Sequence, residues 1–145
     1  MNDHEAGQLV ASAAEVYEQF FVPALFAEWS AHVLAEASVQ AGDNVLDVAC
    51  GTGVLARAAA DLVGRRGQVV GVDLNEGMLA VARAKAPQIR WHHGAAESLP
   101  FDDNSFDRVV SQFGLMFFAD QQQALREMQR VVRENGRVAV AVWGS

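Results

Sequence analysis

The chain has 145 residues, 51% hydrophobic and 20% charged, which is the composition of one globular domain with a core of its own. Its net charge of −7 argues against nucleic acid as the main partner, because phosphate contact needs a basic face. The single cysteine excludes an internal disulfide bond, and the absence of a signal peptide or a membrane-length apolar run predicts a cytoplasmic protein without a membrane span.

Residues 1–40 predict a helical segment in front of an α/β core over 41–145, and the two together form one predicted domain. Apolar residues recur at helical spacing over 10–21, and Pro23 suits the first turn of a second helix. The simpler interpretation is that the aromatic residues of this segment pack on a sheet. The functional alternative is that the stretch around Tyr17 lies over a bound ligand as a lid.

A short apolar strand, a glycine turn and a helix follow one another near the middle of the chain. The run over 45–48 has the Val and Leu content of a buried strand, and Gly51-Thr52-Gly53 breaks it sharply. Strong helix formers resume at Leu55. The glycines allow a tight turn and close approach of a ligand, and the free N–H groups of the helix point at the same place. This order of elements predicts a ligand site.

Two carboxylates indicate which ligand the site takes. The next strand, over 68–73, ends in Asp73, about 20 residues past the glycines, where an acid can accept hydrogen bonds from ribose hydroxyls. The cofactor is therefore a dinucleotide such as NAD, or S-adenosylmethionine. Asp47 favours S-adenosylmethionine, because a carboxylate opposes a pyrophosphate but attracts an ammonium and a sulfonium. The run over 51–56 fits the loose dinucleotide pattern, so an NAD-binding domain stays as an alternative.

The rest of the chain alternates strands and helices. Adjacent strand residues point to opposite faces, so His92 and His93 are a poor pair of metal ligands and no metal site is predicted. The further predicted elements are a helix capped by Asn75 and stopped by Pro87, strands over 89–93 and 106–112, a helix capped by Asp120 and ended by Asn135-Gly136, and a strand over 137–143.

This alternation predicts an α/β fold, a Rossmann-like three-layer α-β-α sandwich with a parallel sheet between helices. Ligands of such sheets bind beyond the carboxyl ends of the strands. Gly51, Asp73, the loop over 94–97 and Gln112 all lie at predicted carboxyl ends. Four loops are therefore expected to meet at one place.

Five motifs, over 45–53, 71–73, 97–101, 105–107 and 133–136, together make the sequence similar to a known family. From about Tyr17 to Trp143 it resembles the class I S-adenosylmethionine-dependent methyltransferases, most of all the methyltransferase type 11 branch with the quinone-biosynthesis C-methyltransferases. The resemblance implies the strand order 3-2-1-4-5 and in-line transfer of a methyl group to a small molecule. The family's sheet usually has seven strands, so the usual last two are lacking here. A non-catalytic cofactor-binding module therefore stays as an alternative function.

The resemblance also implies a role for each residue of the site. Asp47 and the backbone at three residues of the glycine turn would hold the methionine part, and Asp73 would take the ribose hydroxyls. Leu74 would pack beside the adenine, Ala96 would donate its N–H to that ring, and the Gln112 backbone would help place the amino-acid end. The implied cofactor-binding residues are Tyr17, Asp47, Ala49, Cys50, Gly51, Thr52, Gly53, Asp73, Leu74, Met78, Ala95, Ala96, Glu97, Gln112 and Phe113.

Two positions qualify these roles. Relatives commonly carry an acid at the position of Ala95, so weaker cofactor binding is expected unless Glu97 or a backbone carbonyl replaces that contact. Cys50 is ordinary in the family and is not expected to be a nucleophile. No catalytic residue is assigned, although His93 is conceivable as a general base.

The strand over 137–143 lies at a sheet edge in the implied order. Both of its faces are apolar, and no proline or inward charge interrupts it. We expect this edge to pair with a second copy of the chain, giving a homodimer. The alternatives are that the amino-terminal helices fold over this edge, or that the exposed strand leads only to aggregation.

Overall fold

The computed structural model of the protein describes Ala13 and residues 27–142, and there helices alternate with the strands of one sheet. The helices are α1 (Ala27–Glu36), α2 (Val54–Val63), α3 (Glu76–Lys85) and α4 (Gln121–Val131). The strands are β1 (Asn44–Val48), β2 (Gln68–Asp73), β3 (Arg90–His93), β4 (Phe106–Gln112) and β5 (Val132–Ala141). Short 3₁₀ helices cover Gly64–Arg66 and Leu115–Phe117.

The strands form a parallel sheet in the order β3-β2-β1-β4-β5, which confirms the predicted α/β fold and strand order. At its centre Leu46 of β1 pairs with Val70 of β2 on one side and with Val109 of β4 on the other. Helices cover both faces of such a sheet, which is why β1 and β4 are almost continuously buried.

The core lies in two layers because neighbouring strand residues point to opposite faces. On one face Val45 of β1 packs with Leu34 of α1 and Leu55 of α2. On the other face Leu46 of β1 packs with Met128 of α4. Within the described part of the chain, no helix is both long and apolar enough to span a membrane.

Side-chain caps start two helices where the sequence predicts them. Asn75 Oδ1 accepts a hydrogen bond from the Met78 N–H with an N···O distance of 3.1 Å. Asp120 Oδ1 accepts one from the Gln123 N–H over 3.0 Å. Each cap satisfies an N–H group that has no partner inside the helix.

The start of β5 differs from the prediction. The turn at 135–136 is expected to end the last helix, but α4 ends at Val131 and β5 begins directly after it. Val132 pairs with Phe106, and Arg133 Nε lies 2.6 Å from Asp107 Oδ1, so contacts with β4 override the local helical pattern. The end of the predicted strand at Trp143 lies outside the described residues.

Candidate ligand-binding site

A pocket lies at the carboxyl ends of β1 and β4, where the sequence predicts a ligand site. Its walls are formed by residues between Asp47 and Leu55, together with Gln112 at the end of β4. The predicted residues that it brings together are Asp47, Ala49, Cys50, Gly51, Thr52 and Gln112. Tyr17 lies outside the described residues.

The backbone of the glycine turn is held in an uncommon conformation. Ala49, Gly51 and Gly53 all have positive φ angles, of 59°, 56° and 91°. For a residue with a side chain, such as Ala49, this costs about 1–2 kcal/mol. A Cβ added to Gly51 would meet no atom within 4 Å, so the space beside this residue is open to a ligand.

Asp73 connects the end of β2 to the glycine turn. Its Oδ2 accepts a hydrogen bond from the Gly51 N–H over 2.8 Å, and its Oδ1 accepts one from the Asn75 N–H over 2.7 Å. An ionised carboxylate has about four acceptor positions, so further hydrogen bonds remain possible. Asp73 can therefore hold the turn and still accept from a ligand hydroxyl.

Asp47 is a buried carboxylate with an unsatisfied oxygen. Its side chain faces the pocket from β1, the residue is 1% exposed, and Oδ2 has no hydrogen-bond partner among the described residues. Burial raises the pKa of Asp47 well above its ordinary value, the negative charge of Asp73 raises it further, and the Ala56 N–H acts in the opposite direction. Because an unpaired buried charge is strongly unfavourable, this carboxyl group is either protonated or paired with a cation.

The end of β4 forms part of the pocket wall through Gln112. Ser30 of α1 is buried, and its hydroxyl donates to Gln112 Oε1 over 3.3 Å, which links the helix to the pocket. Phe113 has a positive φ of 61°, and its N–H donates to the Ala141 carbonyl over 2.7 Å. Its ring contacts Trp29 edge to face, with the centroids 6.3 Å apart.

The loop over 94–101 approaches the site from the other side of β2. The Gly94 N–H donates to the Asp73 carbonyl over 3.0 Å, which places Ala95, Ala96 and Glu97 next to the end of β2. These residues, like Leu74 and Met78, do not line the pocket around Asp47. They are thus placed for a ligand that extends past Asp73.

Helix α4 fixes the position of this loop. Gln123 Nε2 donates to the Glu97 carbonyl over 3.1 Å, and Arg130 donates to the carbonyls of Leu99 and Phe101 over 3.0 and 2.8 Å. Hydrogen bonds from Arg130 lower the pKa of Glu127, whose Oε1 accepts from the Leu99 N–H over 2.9 Å. The periodic pattern of α4 predicts its apolar face but not these polar contacts.

The structure gives no support to two conceivable reactive groups. His93 Nε2 lies 3.0 Å from the Leu74 carbonyl oxygen, and its Nδ1 lies 3.7 Å from Glu76 Oε1, so the ring is outside the pocket that Asp47 faces. Burial raises the pKa of the Cys50 thiol, which keeps it protonated and unreactive. His92 packs against Phe101, away from His93.

Trp91 is a residue of the site that the sequence did not single out. It lies on β3, but its indole ring reaches beneath the glycine turn and leaves no space for a Cβ at Gly53. The sequence gives only one indication of this role, a large aromatic residue in β3, which β2 separates from β1 in the sheet.

The comparison with known proteins agrees with this geometry. The sequence model of the ubiE/COQ5 methyltransferase family matches residues 5–143. The chain belongs to the ubiE/COQ5 methyltransferase family.

Curated relatives in the family are longer than this chain. Demethylmenaquinone methyltransferase of Staphylococcus epidermidis is 45% identical over 113 residues, which are 76% of this chain and 47% of the relative. Ubiquinone/menaquinone biosynthesis C-methyltransferase UbiE of Hahella chejuensis is 45% identical over 118 residues, 77% of this chain and 47% of the relative. The chain thus spans about half the length of the curated relatives that it matches.

Solved structures share the fold. A SAM-dependent methyltransferase from Aquifex aeolicus superposes with a TM-score of 0.80 at 24% identity, over 92% of this chain and 72% of that protein. A Haloferax volcanii complex between the Trm112 methyltransferase activator and a methyltransferase gives a TM-score of 0.80 at 28% identity, over 92% and 59%.

Proposed function

We propose that this chain binds S-adenosylmethionine and transfers its methyl group to a small molecule. The observation that carries the proposal is the buried carboxyl of Asp47, a residue that lines the pocket and whose Oδ2 has no hydrogen-bond partner among the described residues. The ammonium of the methionine part would satisfy this oxygen. Membership of the ubiE/COQ5 methyltransferase family supports the same ligand.

The surrounding residues fit the remainder of the cofactor. Asp73 has acceptor positions left for ribose hydroxyls, and the loop over 94–97 lies beyond it for the adenine. The open space beside Gly51 lets the ligand approach the backbone. A dinucleotide fits less well, because its pyrophosphate would lie at the start of α2 beside two carboxylates.

The bound cofactor would supply an electrophilic methyl group, and the chain would supply position and electrostatics. The acceptor we propose is a quinol, because curated relatives at 45% identity are named for demethylmenaquinone and ubiquinone/menaquinone. We assign no general base among the described residues, since Asp47, the acid that lines the pocket, would be paired with the ammonium of the ligand.

Calorimetry with S-adenosylhomocysteine and with NAD tests the ligand. We expect heat with S-adenosylhomocysteine and none with NAD, and the reverse would refute the proposal. Transfer of a radiolabelled methyl group to naphthoquinols, simple phenols and small acids then tests the reaction. Ligand binding without transfer to any acceptor would leave a cofactor-binding module in place of an enzyme.

We also propose that β5 pairs with a second copy of the chain. Among the described residues it is the last strand in the sheet order, and Arg137 in its middle donates hydrogen bonds to the carbonyl of Glu36 at the end of α1 and to the hydroxyl of Ser38. Light scattering at several concentrations should show a dimer. A monomer with a protected Val140 amide would contradict the proposal. The cytoplasmic location and the lack of a nucleic-acid partner stay predictions.

A further inference from the structure

We infer that Trp91 is a positioning residue of the cofactor site: its indole ring supports the glycine turn over 49–53 in the conformation that binds the ligand. The inference rests on the proposed function, since it concerns the affinity of this site for the cofactor. Trp91 itself does not line the pocket.

The indole ring reaches the glycine turn by passing over a residue that has no side chain. Trp91 of β3 pairs in register with Gly71 of β2, and β2 lies between β3 and β1 in the sheet. A Cβ on Gly71 would lie 2.5 Å from Trp91 Cε3, and a Cβ on Gly53 would lie 2.5 Å from Trp91 Cη2. Real Cβ atoms do not approach so closely, so the ring is packed directly against both glycine backbones.

The nitrogen of the indole ring, on the side away from the glycine contacts, is held by a hydrogen bond. Trp91 Nε1–H donates to the Ala86 carbonyl, just after α3, over 2.9 Å. A tryptophan side chain has only two rotatable bonds, so one hydrogen bond and two glycine contacts determine its orientation. The ring is therefore a rigid support between the end of α3 and the glycine turn.

The turn needs such a support for two reasons. Ala49 has a positive φ, which is unfavourable for a residue with a side chain and persists only where neighbouring groups hold it. Gly53 is the N-cap of α2 in the left-handed conformation, which a glycine adopts readily but as one of many, so a neighbour has to restrict it. Asp73 holds the Gly51 N–H from one side, and Trp91 packs against Gly53 from another.

The test separates this role from a merely structural one by comparing affinity with stability. Trp91→Leu removes most of the ring, and Trp91→Phe keeps an aromatic ring at the same place. Met128→Ala is the matched control, because Met128 is fully buried in the core layer on the other face of the sheet. For each full-length variant we would measure the dissociation constant of S-adenosylhomocysteine by calorimetry and the unfolding midpoint in urea.

We expect Trp91→Leu to weaken binding about tenfold or more, as misplacement of a binding group does, and Trp91→Phe to restore part of the loss. Met128→Ala should lower the urea midpoint and leave the dissociation constant within about twofold. An unchanged dissociation constant in folded Trp91→Leu protein would overturn the inference. Absence of binding by the unsubstituted chain would instead refute the proposed function.

A second pair of variants tests the contact itself. Gly71→Ala alone places a methyl group 2.5 Å from Trp91 Cε3 and 3.0 Å from Cys50 Sγ, and it should weaken binding chiefly through the closer contact with the ring. Adding Trp91→Leu to Gly71→Ala should recover part of the affinity, because the clash is then relieved. If the loss of affinity in the double variant equals the sum of the two single losses, the ring does not transmit the effect of Gly71→Ala to the ligand site.

Discussion

Asp47 should release a proton when the cofactor binds. In the unliganded protein its carboxyl is buried beside Asp73, and both features raise its pKa. An ammonium forms an ion pair only with the ionised carboxylate, so the ligand binds the deprotonated form. Asp47→Asn removes the ionisation and the ion pair together.

The size of the effect follows from proton linkage. Where Asp47 holds a proton in the unliganded protein, ligand affinity should rise up to tenfold for each pH unit, which is about 1.4 kcal/mol. Loss of a hydrogen-bonded charge amounts to about 1.5–3 kcal/mol, so Asp47→Asn should weaken binding by roughly 10- to 150-fold.

The contribution of Asp47 to the pH dependence of folding stability has the opposite sign to that of an acid whose pKa is lowered by folding. The folded state binds the proton of Asp47 more tightly than the unfolded state, whose pKa is near 3.8. Stability of the unliganded chain should therefore fall as pH rises above that value, by up to about 1.4 kcal/mol per unit, until the raised pKa is passed. In Asp47→Asn this contribution to the pH dependence should be absent.

Calorimetry in buffers of different ionisation enthalpy measures the released proton directly. We expect up to about one proton per S-adenosylhomocysteine and none for Asp47→Asn. The matched control is 5′-methylthioadenosine, which lacks the amino-acid end and should release no proton from Asp47. Normal binding of S-adenosylhomocysteine with no proton release between about pH 5 and 8 would mean that Asp47 is already ionised, and the reasoning would be wrong.

Three further predictions follow from contacts of the site. Asp73→Ala should weaken S-adenosylhomocysteine binding by about 1.5–3 kcal/mol in calorimetry, since charge-assisted bonds to the ribose are lost. Gly51→Ala should lower the free energy of unfolding in urea by about 1–2 kcal/mol because of its positive φ, and should lower affinity further because the methyl group occupies open space. Arg130→Gln should lower the free energy of unfolding by about 1–3 kcal/mol by freeing the loop carbonyls it binds. Arg130 lowers the pKa of Glu127, so the loss of unfolding free energy in Arg130→Gln should depend on pH. The loss should be largest above the ordinary pKa of 4.5 and should shrink as pH falls through the lowered pKa of Glu127. Urea unfolding at several pH values measures this.

The features that depend on local chemistry could be predicted from the sequence alone. The bounds of β2 and β4 agree with the predicted runs over 68–73 and 106–112, because buried parallel strands are short runs with Val and other apolar residues at their centre. Asn75 and Asp120 are caps as predicted, since a cap is a hydrogen bond between residues three apart. The glycine turn and Asp73 are likewise local signals at strand ends, and the structure joins them through the Gly51 N–H.

The features that depend on residues far apart in the chain could be seen only in the folded protein. The register of β4 against β5 sets the early start of β5 at Val132, and no periodicity within 120–136 contains that information. Trp91 lies under Gly53 because β3 is in register with β2. Gly71 of β2 has no side chain, so the ring of Trp91 can pass over it and reach the glycine turn that follows β1. Asp47 can be predicted as an acid near the site, but its raised pKa comes from burial, which arises only when the sheet and α2 close over it.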